Sequence, residues 1–186
     1  MATTSDIRNG MMIEFKDGIY EIIDFLHVKP GKGNTFVRTK LRNIKTGQVL
    51  ENNFRISEKL TEVRVEKSKK QYLYHDGDFY VFMDNETYEQ ISVPSEVIGD
   101  LDKYLIENTE VTMKTTPEGE IMGIELPTSI VMEISECDPN VKGNTASGGG
   151  KNAVTQTGLK LTVPFFIEAG DRIKVDTRTG SYQERA

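Results

Sequence analysis

The sequence predicts an all-β protein folded as small consecutive domains, and three observations carry that prediction. Apolar and polar residues alternate over short runs separated by Gly, Asp, Asn and Pro turns. Only one stretch has the spacing of a helix, and the charge changes sign along the chain in three blocks. At 186 residues there is room for one to three domains of the size at which a hydrophobic core suffices without staples.

Residues 1–64 read as strands 11–15 and 19–25 around a turn at Asp17-Gly18, then a hairpin around residues 29–34. A third hairpin turns at Lys45-Thr46-Gly47, between 41–44 and 49–54, so a small β-barrel is expected. With eleven cations and eight anions this block carries a net +3. Residues 65–126 hold five cations and fourteen anions, a net −9. Strands are expected at 71–74 and 79–83 around Asp76-Gly77-Asp78. The spacing of Val97, Leu101, Tyr104 and Leu105 predicts one helix from an N-cap at Ser95 to about residue 106. Five strands with one intervening helix fit an OB-type barrel. Its charge is wrong for general RNA binding, which leaves a solvated acidic face or a surface for a basic protein. Residues 127–186 carry seven charges of each sign, with strands expected at 129–134, 159–167 and 172–175. Between the first two, residues 138–152 are rich in Gly, Asn and Ser and read as a loop. The three net charges sum to the −6 of the whole chain and place the boundaries after 64 and 126.

Several chemistries lack their residues. The single Cys137 permits no disulfide framework, and no second Cys or His stands at a metal-ligand spacing. His27 and His75 are unaccompanied, and no cofactor motif occurs. The first residues have neither a basic nor an apolar leader segment, and no run approaches 18 apolar residues, so a cytoplasmic protein without membrane attachment is expected.

The most informative stretch is Lys29-Pro30-Gly31-Lys32-Gly33-Asn34. Pro30 stiffens the approach by fixing φ near about −65°, and glycines flank Lys32 on both sides, leaving its amine unshielded. An ordinary solvated hairpin tip has the same composition. Against that reading, residues 25–50 hold six cations (Lys29, Lys32, Arg38, Lys40, Arg42, Lys45) and no Asp or Glu, inside an acidic chain. Such a field attracts an anion, and phosphate in nucleic acid is the commonest large one. A P-loop is excluded by spacing, because this glycine pair opens a strand rather than a helix. A lysine nucleophile would need burial or a neighbouring cation, which a glycine-flanked tip does not offer.

Lys29-Pro30-Gly31-Lys32-Gly33 followed by Phe36-Val37-Arg38-Thr39-Lys40-Leu41-Arg42 resembles the bacterial elongation factor P family. A long C-terminal pattern of that family is met at Lys151, Ala153, Gly158, Leu161, Val163, Pro164, Ile167 and Gly170, and the likeness runs through Gly180-Ser181-Tyr182 and Arg185. The resemblance implies an SH3-like (KOW-type) domain over 1–64 and two OB-type domains over 65–126 and 127–186, in an L-shaped, tRNA-like arrangement. It further implies a monomeric, non-enzymatic factor without cofactor. Such a factor binds ribosomal RNA and proteins between the P and E sites, beside the P-site peptidyl-tRNA, and relieves stalling at consecutive prolines.

By the same resemblance Lys32 is the active tip, extended in many members by a lysine-modifying enzyme, and Pro30, Gly31 and Gly33 shape its loop. Lys29, Arg38, Lys40 and Arg42 are RNA-contact candidates, although strand alternation is expected to turn some of them away. Gly143-Asn144-Thr145 matches a family Gly-Asp-Thr loop with Asn144 as a departure that loses a charge, and with Tyr182 and Arg185 it is assigned to the small-subunit and E-site side. The alternative is a paralogous ribosome- or RNA-binding protein without the proline-run role.

Overall fold

In the computed structural model, which describes residues 2–140 and 149–186, the strands form three sheets. The first comprises β1 (Ala2–Thr3), β2 (Met12–Phe15), β3 (Gly18–Val28), β4 (Phe36–Asn43), β5 (Val49–Arg55) and β6 (Lys59–Glu62), in the order β1-β6-β2-β3-β4-β5. Inward-facing Ile13, Ile22, Val37, Leu41 and Phe54 form its core. The turn into β3 sits one residue earlier than expected. Phe15 pairs with Gly18, and Lys16 and Asp17 take φ of +46° and +60°, the conformation that a two-residue hairpin turn requires.

The second sheet holds β7 (Glu66–Asp76), β8 (Phe79–Asp84), β9 (Gln90–Pro94), β10 (Glu110–Thr115) and β11 (Ile121–Glu125), in the order β11-β10-β7-β8-β9. Phe82, Val93, Ile98, Val111 and Met113 are fully buried in it. The long helix expected from Ser95 does not form. A single turn, α1 (Ser95–Ile98), is followed by a 3-10 segment at Gly99–Tyr104, because Gly99 takes φ +54° and breaks the α path. Ser95 is not the cap either; Pro94 precedes the helix and the Ser95 hydroxyl donates to the Asp78 carbonyl at 2.8 Å. Ile98 and Leu105 are the residues buried, while Val97, Leu101 and Tyr104 are only half-buried.

The third sheet holds β12 (Ser129–Cys137), β13 (Gly150–Thr155), β14 (Lys160–Pro164), β15 (Arg172–Asp176) and β16 (Ser181–Arg185), in the order β14-β13-β12-β15-β16. The expected loop over 138–152 overran the start of β13, whose inward residues are Lys151, Ala153 and Thr155 rather than an apolar alternation. By compactness the chain falls into two units, Met1–Ser68 with Met113–Gly123 and Lys69–Thr112 with Ile124–Ala186.

One partly buried ion pair joins β7 and β8 in the middle of the second sheet. Lys70 is buried and its ammonium donates to Asp84, whose carboxylate also accepts the backbone N–H groups of Glu86 and Thr87. The Lys70 hydrogen bond, and then those backbone donors, hold the Asp84 carboxyl well below its ordinary value of 3.8. A carboxyl harder to protonate when folded than when unfolded adds stability above that ordinary value, and the contribution is lost as pH falls through the folded value. Asp84→Asn should therefore lower the thermal midpoint at neutral pH, and the gap to the wild type should close as pH is taken below 3.8. Circular dichroism melts over this range test it; a gap independent of pH would assign the loss to packing.

Candidate nucleic-acid interface

The site is built on the β3–β4 hairpin. Along β3 the pairing steps from Ile22–Leu41 to Asp24–Lys40, so Ile23 is a bulge. Before it Tyr20 and Ile22 point inward; after it Phe25 takes the inward parity opposite buried Thr39, and Asp24 and Leu26 face out. Without the extra residue Asp24 would continue the parity of Ile22 into the core.

On β4 the inward residues are Val37, Thr39 and Leu41, and Arg38, Lys40 and Arg42 are all exposed. Alternation was expected to turn some of these cations away. Their spacing of two instead puts all three on one outward face. The neighbouring strands then separate them. Arg42 lies opposite Glu21 and bonds it at 2.5 Å, and Lys40 lies between Asp24 and Glu51. Arg38 lies between Leu26 and Asn53, and the next row toward the loop is Val28, Phe36 and Arg55. Compensating carboxylates thus occupy the barrel end of the face and are missing from the rows at the loop end.

Among the described residues the side chains of Lys29, Lys32, Arg38, Lys40 and Arg55 form no ion pair or hydrogen bond, whereas Arg8, Arg42 and Lys45 bond Glu62, Glu21 and Glu120. Arg55 went unnoticed in the sequence because it enters this surface through its pairing with Phe36, which no local pattern records.

The loop itself spans residues 29–35 between Val28 and Phe36, the last pair of the hairpin. Residues 29–34 are all exposed, and no hydrogen bond holds residues 30–34 to the described chain. Its shape rests on Pro30 and Gly33. Gly33 has φ +114° with the Pro30 ring 3.8 Å from where a Cβ would lie, whereas Gly31 has open space around it and no such φ. Lys32 stands between them with nothing packed on it.

In the third domain Tyr182 is half-buried against the core, and Arg185 bonds Asp171 at 3.0 Å. Gly143, Asn144 and Thr145 lie outside the described residues. The C-terminal pattern proves to be packing: Ala153, Leu161, Val163 and Ile167 belong to the core, and buried Lys151 donates to the Asn140 side-chain oxygen at 2.8 Å.

Three antiparallel sheets follow one another along the chain, and the first presents an unpaired lysine on a hairpin tip. Family models described as the elongation factor P KOW-like domain, OB domain and C-terminal domain match residues 3–60, 65–124 and 130–185. Proteins named elongation factor P from Moorella thermoacetica and Synechocystis sp. are 50% and 49% identical to the chain. The first match covers all of both proteins, the second all of this chain and 98% of the relative. Among solved structures, initiation factor 5A from Methanococcus jannaschii superposes with a TM-score of 0.53 at 25% identity, over 66% of this chain and 92% of that one. The chain belongs to the elongation factor P family.

The difference between the two loop glycines is testable. Gly33→Ala forces an L residue into a strained φ, while Gly31→Ala does not. Gly33→Ala should move the backbone amide resonances of residues 29–36, with little change in melting temperature because the tip carries no hydrogen bonds. Gly31→Ala should move only its immediate neighbours. Equal perturbation by both would show that Gly33 does not shape the loop.

Proposed function

We propose that this chain is a translation elongation factor that binds the ribosome between the P and E sites and stimulates peptide-bond formation at consecutive prolines. The observation that supports this most is the placement of Lys32, fully exposed and unpaired on a hairpin tip backed by the free cations Lys29, Arg38 and Arg55. The first domain, residues 1–64, meets RNA; the central domain, 65–126, and the third, 127–186, complete the contact with ribosomal RNA and proteins. On the E-site side the third domain contributes Gly143, Asn144 and Thr145, with Tyr182 and Arg185 at its terminal strand. The factor acts as a monomer in the cytoplasm. Among the described residues no helix is long and apolar enough to cross a membrane.

The chemistry needs positioning rather than an acid or base. A nascent Pro-Pro has fixed φ and restricted neighbours, and the incoming proline nitrogen is a ring secondary amine, so attack geometry is reached rarely. A hairpin lying beside the peptidyl-tRNA restricts the chain end to productive orientations, an entropic gain of the kind that oriented reactants show. The lysine carries its amine about 6 Å from Cα, and an enzyme that elongates it would carry a donor further. Lys32 is exposed, as such an enzyme requires. That same exposure argues against a nucleophilic lysine, which needs desolvation to be active.

Two outcomes follow. Lys32→Arg keeps the charge but not the primary amine, so it should bind ribosomes within a few-fold of wild type and lose most rescue of Pro-Pro-Pro synthesis in its own host. Full rescue would leave a purely electrostatic tip. The salt dependence of ribosome binding should divide the cations. Arg38→Ala should reduce the log–log slope by about 0.7–0.9 for one phosphate contact, and Arg42→Ala by less, because Glu21 already holds Arg42. Equal slopes for both variants would misplace the RNA face.

A further inference from the structure

We propose that a groove beside the root of the Lys32 loop binds a segment of single-stranded RNA, seating one unpaired base against Phe36 and Ile56 with its phosphate between Lys29 and Arg55. The inference rests on the first domain being the RNA-facing one.

The groove, about 700 Å³, is lined by Lys29, Asn34, Thr35, Phe36, Arg55 and Ile56. Two features of that lining select the ligand. Its charge is wholly positive, and neither cation has a partner among the described residues. The nearby Glu58 carboxylate is committed to the backbone N–H of Arg55 at 2.8 Å and forms no part of the wall. The floor is apolar. Phe36 is half-buried, and Ile56, just beyond a strand end, leaves 47% of its surface exposed. Phe36 and Arg55 are register partners on adjacent strands, so their side chains rise from the same face about 5 Å apart at Cβ.

A cation fixed beside an aromatic face holds a nucleotide by both ends, the base by stacking and the phosphate by charge. Duplex RNA hides its base faces and would leave the floor unused. The exposed Asn34 and the half-buried Thr35 supply side-chain donors and acceptors to the edge of a splayed base. Arg38, one row further along β4 and on the same face as Phe36, is placed for the next phosphate.

The test uses the full chain labelled with nitrogen-15, titrated with three probes: a single-stranded heptanucleotide RNA, an RNA hairpin of equal phosphate count, and inorganic tripolyphosphate. The single strand should shift the amides of Asn34, Phe36 and Ile56 saturably, with the hairpin and tripolyphosphate at least tenfold weaker. Arg55→Gln should weaken single-strand binding about tenfold and Ile56→Asn several-fold. Both positions are exposed, and unchanged amides across the three sheets will verify folding. Equal response to tripolyphosphate or to the hairpin would overturn the base seat, as would variants that bind like wild type. Groove amides that ignore the single strand while the protein still rescues proline runs would overturn the groove and leave the reading of the whole protein standing.

Discussion

The extra residue at Ile23 sets what the first domain is able to present. An eleven-residue strand that kept one parity throughout would carry the alternation of Tyr20 and Ile22 forward, sending Asp24 and Leu26 into the barrel and Phe25 into solvent. The bulge resets the parity so that Phe25 packs on the core opposite Thr39 and the hairpin continues past the barrel with its apolar edge still anchored. β4 needs no bulge, since Val37, Thr39 and Leu41 keep one inward line from end to end. Because β4 is regular, Arg38, Lys40 and Arg42 share the outward face, and the loop emerges at the end of that face.

Charge on this hairpin is allocated by cross-strand neighbours rather than by sequence. Residues 25–50 contain no acid, yet Glu21, Asp24 and Glu51 are brought opposite Arg42 and Lys40 by strands on either side. Arg42 must surrender Glu21 to reach a phosphate, while Arg38 and Arg55 surrender only water. The free positive charge is therefore graded toward the loop that carries Lys32. The central block, with a net charge of −9, offers no comparable positive field.

What the sequence made legible, and what it did not, divides along the same physical line. Turns announced by Gly, Pro and Asp, and strands with apolar alternation such as β4 and β8, were visible because the signal is local. β13 was not, since its inward residues are Lys151, Ala153 and Thr155, and it opens within a Gly- and Asn-rich stretch. The helix from Ser95 had the right apolar spacing but carried Gly99 in its middle, and one residue in a left-handed conformation outweighed the period. Within the candidate site the loop residues could be read directly. The groove residues Arg55 and Ile56 could not, because they reach the loop through β-pairing across a separation of about twenty residues.

The stretch that most strongly marks the family and the stretch that most plausibly does its work obey opposite constraints. Of the matching residues from Lys151 to Gly170, Lys151, Ala153, Leu161, Val163 and Ile167 are buried and Gly158 and Gly170 take the positive φ of turns, and a change at Val163 or Ile167 would open a cavity in a close-packed core. Packing of that kind tolerates little variation, which is why a long pattern of residues survives there, and it says nothing about chemistry. The tip from Pro30 to Asn34 is exposed and makes no hydrogen bond to the described chain, so its residues are free of the core. A glycine-flanked lysine in such a place has no structural reason to be lysine. Its side chain makes no hydrogen bond or ion pair within the described chain, which is the ground for proposing a partner that meets the amine.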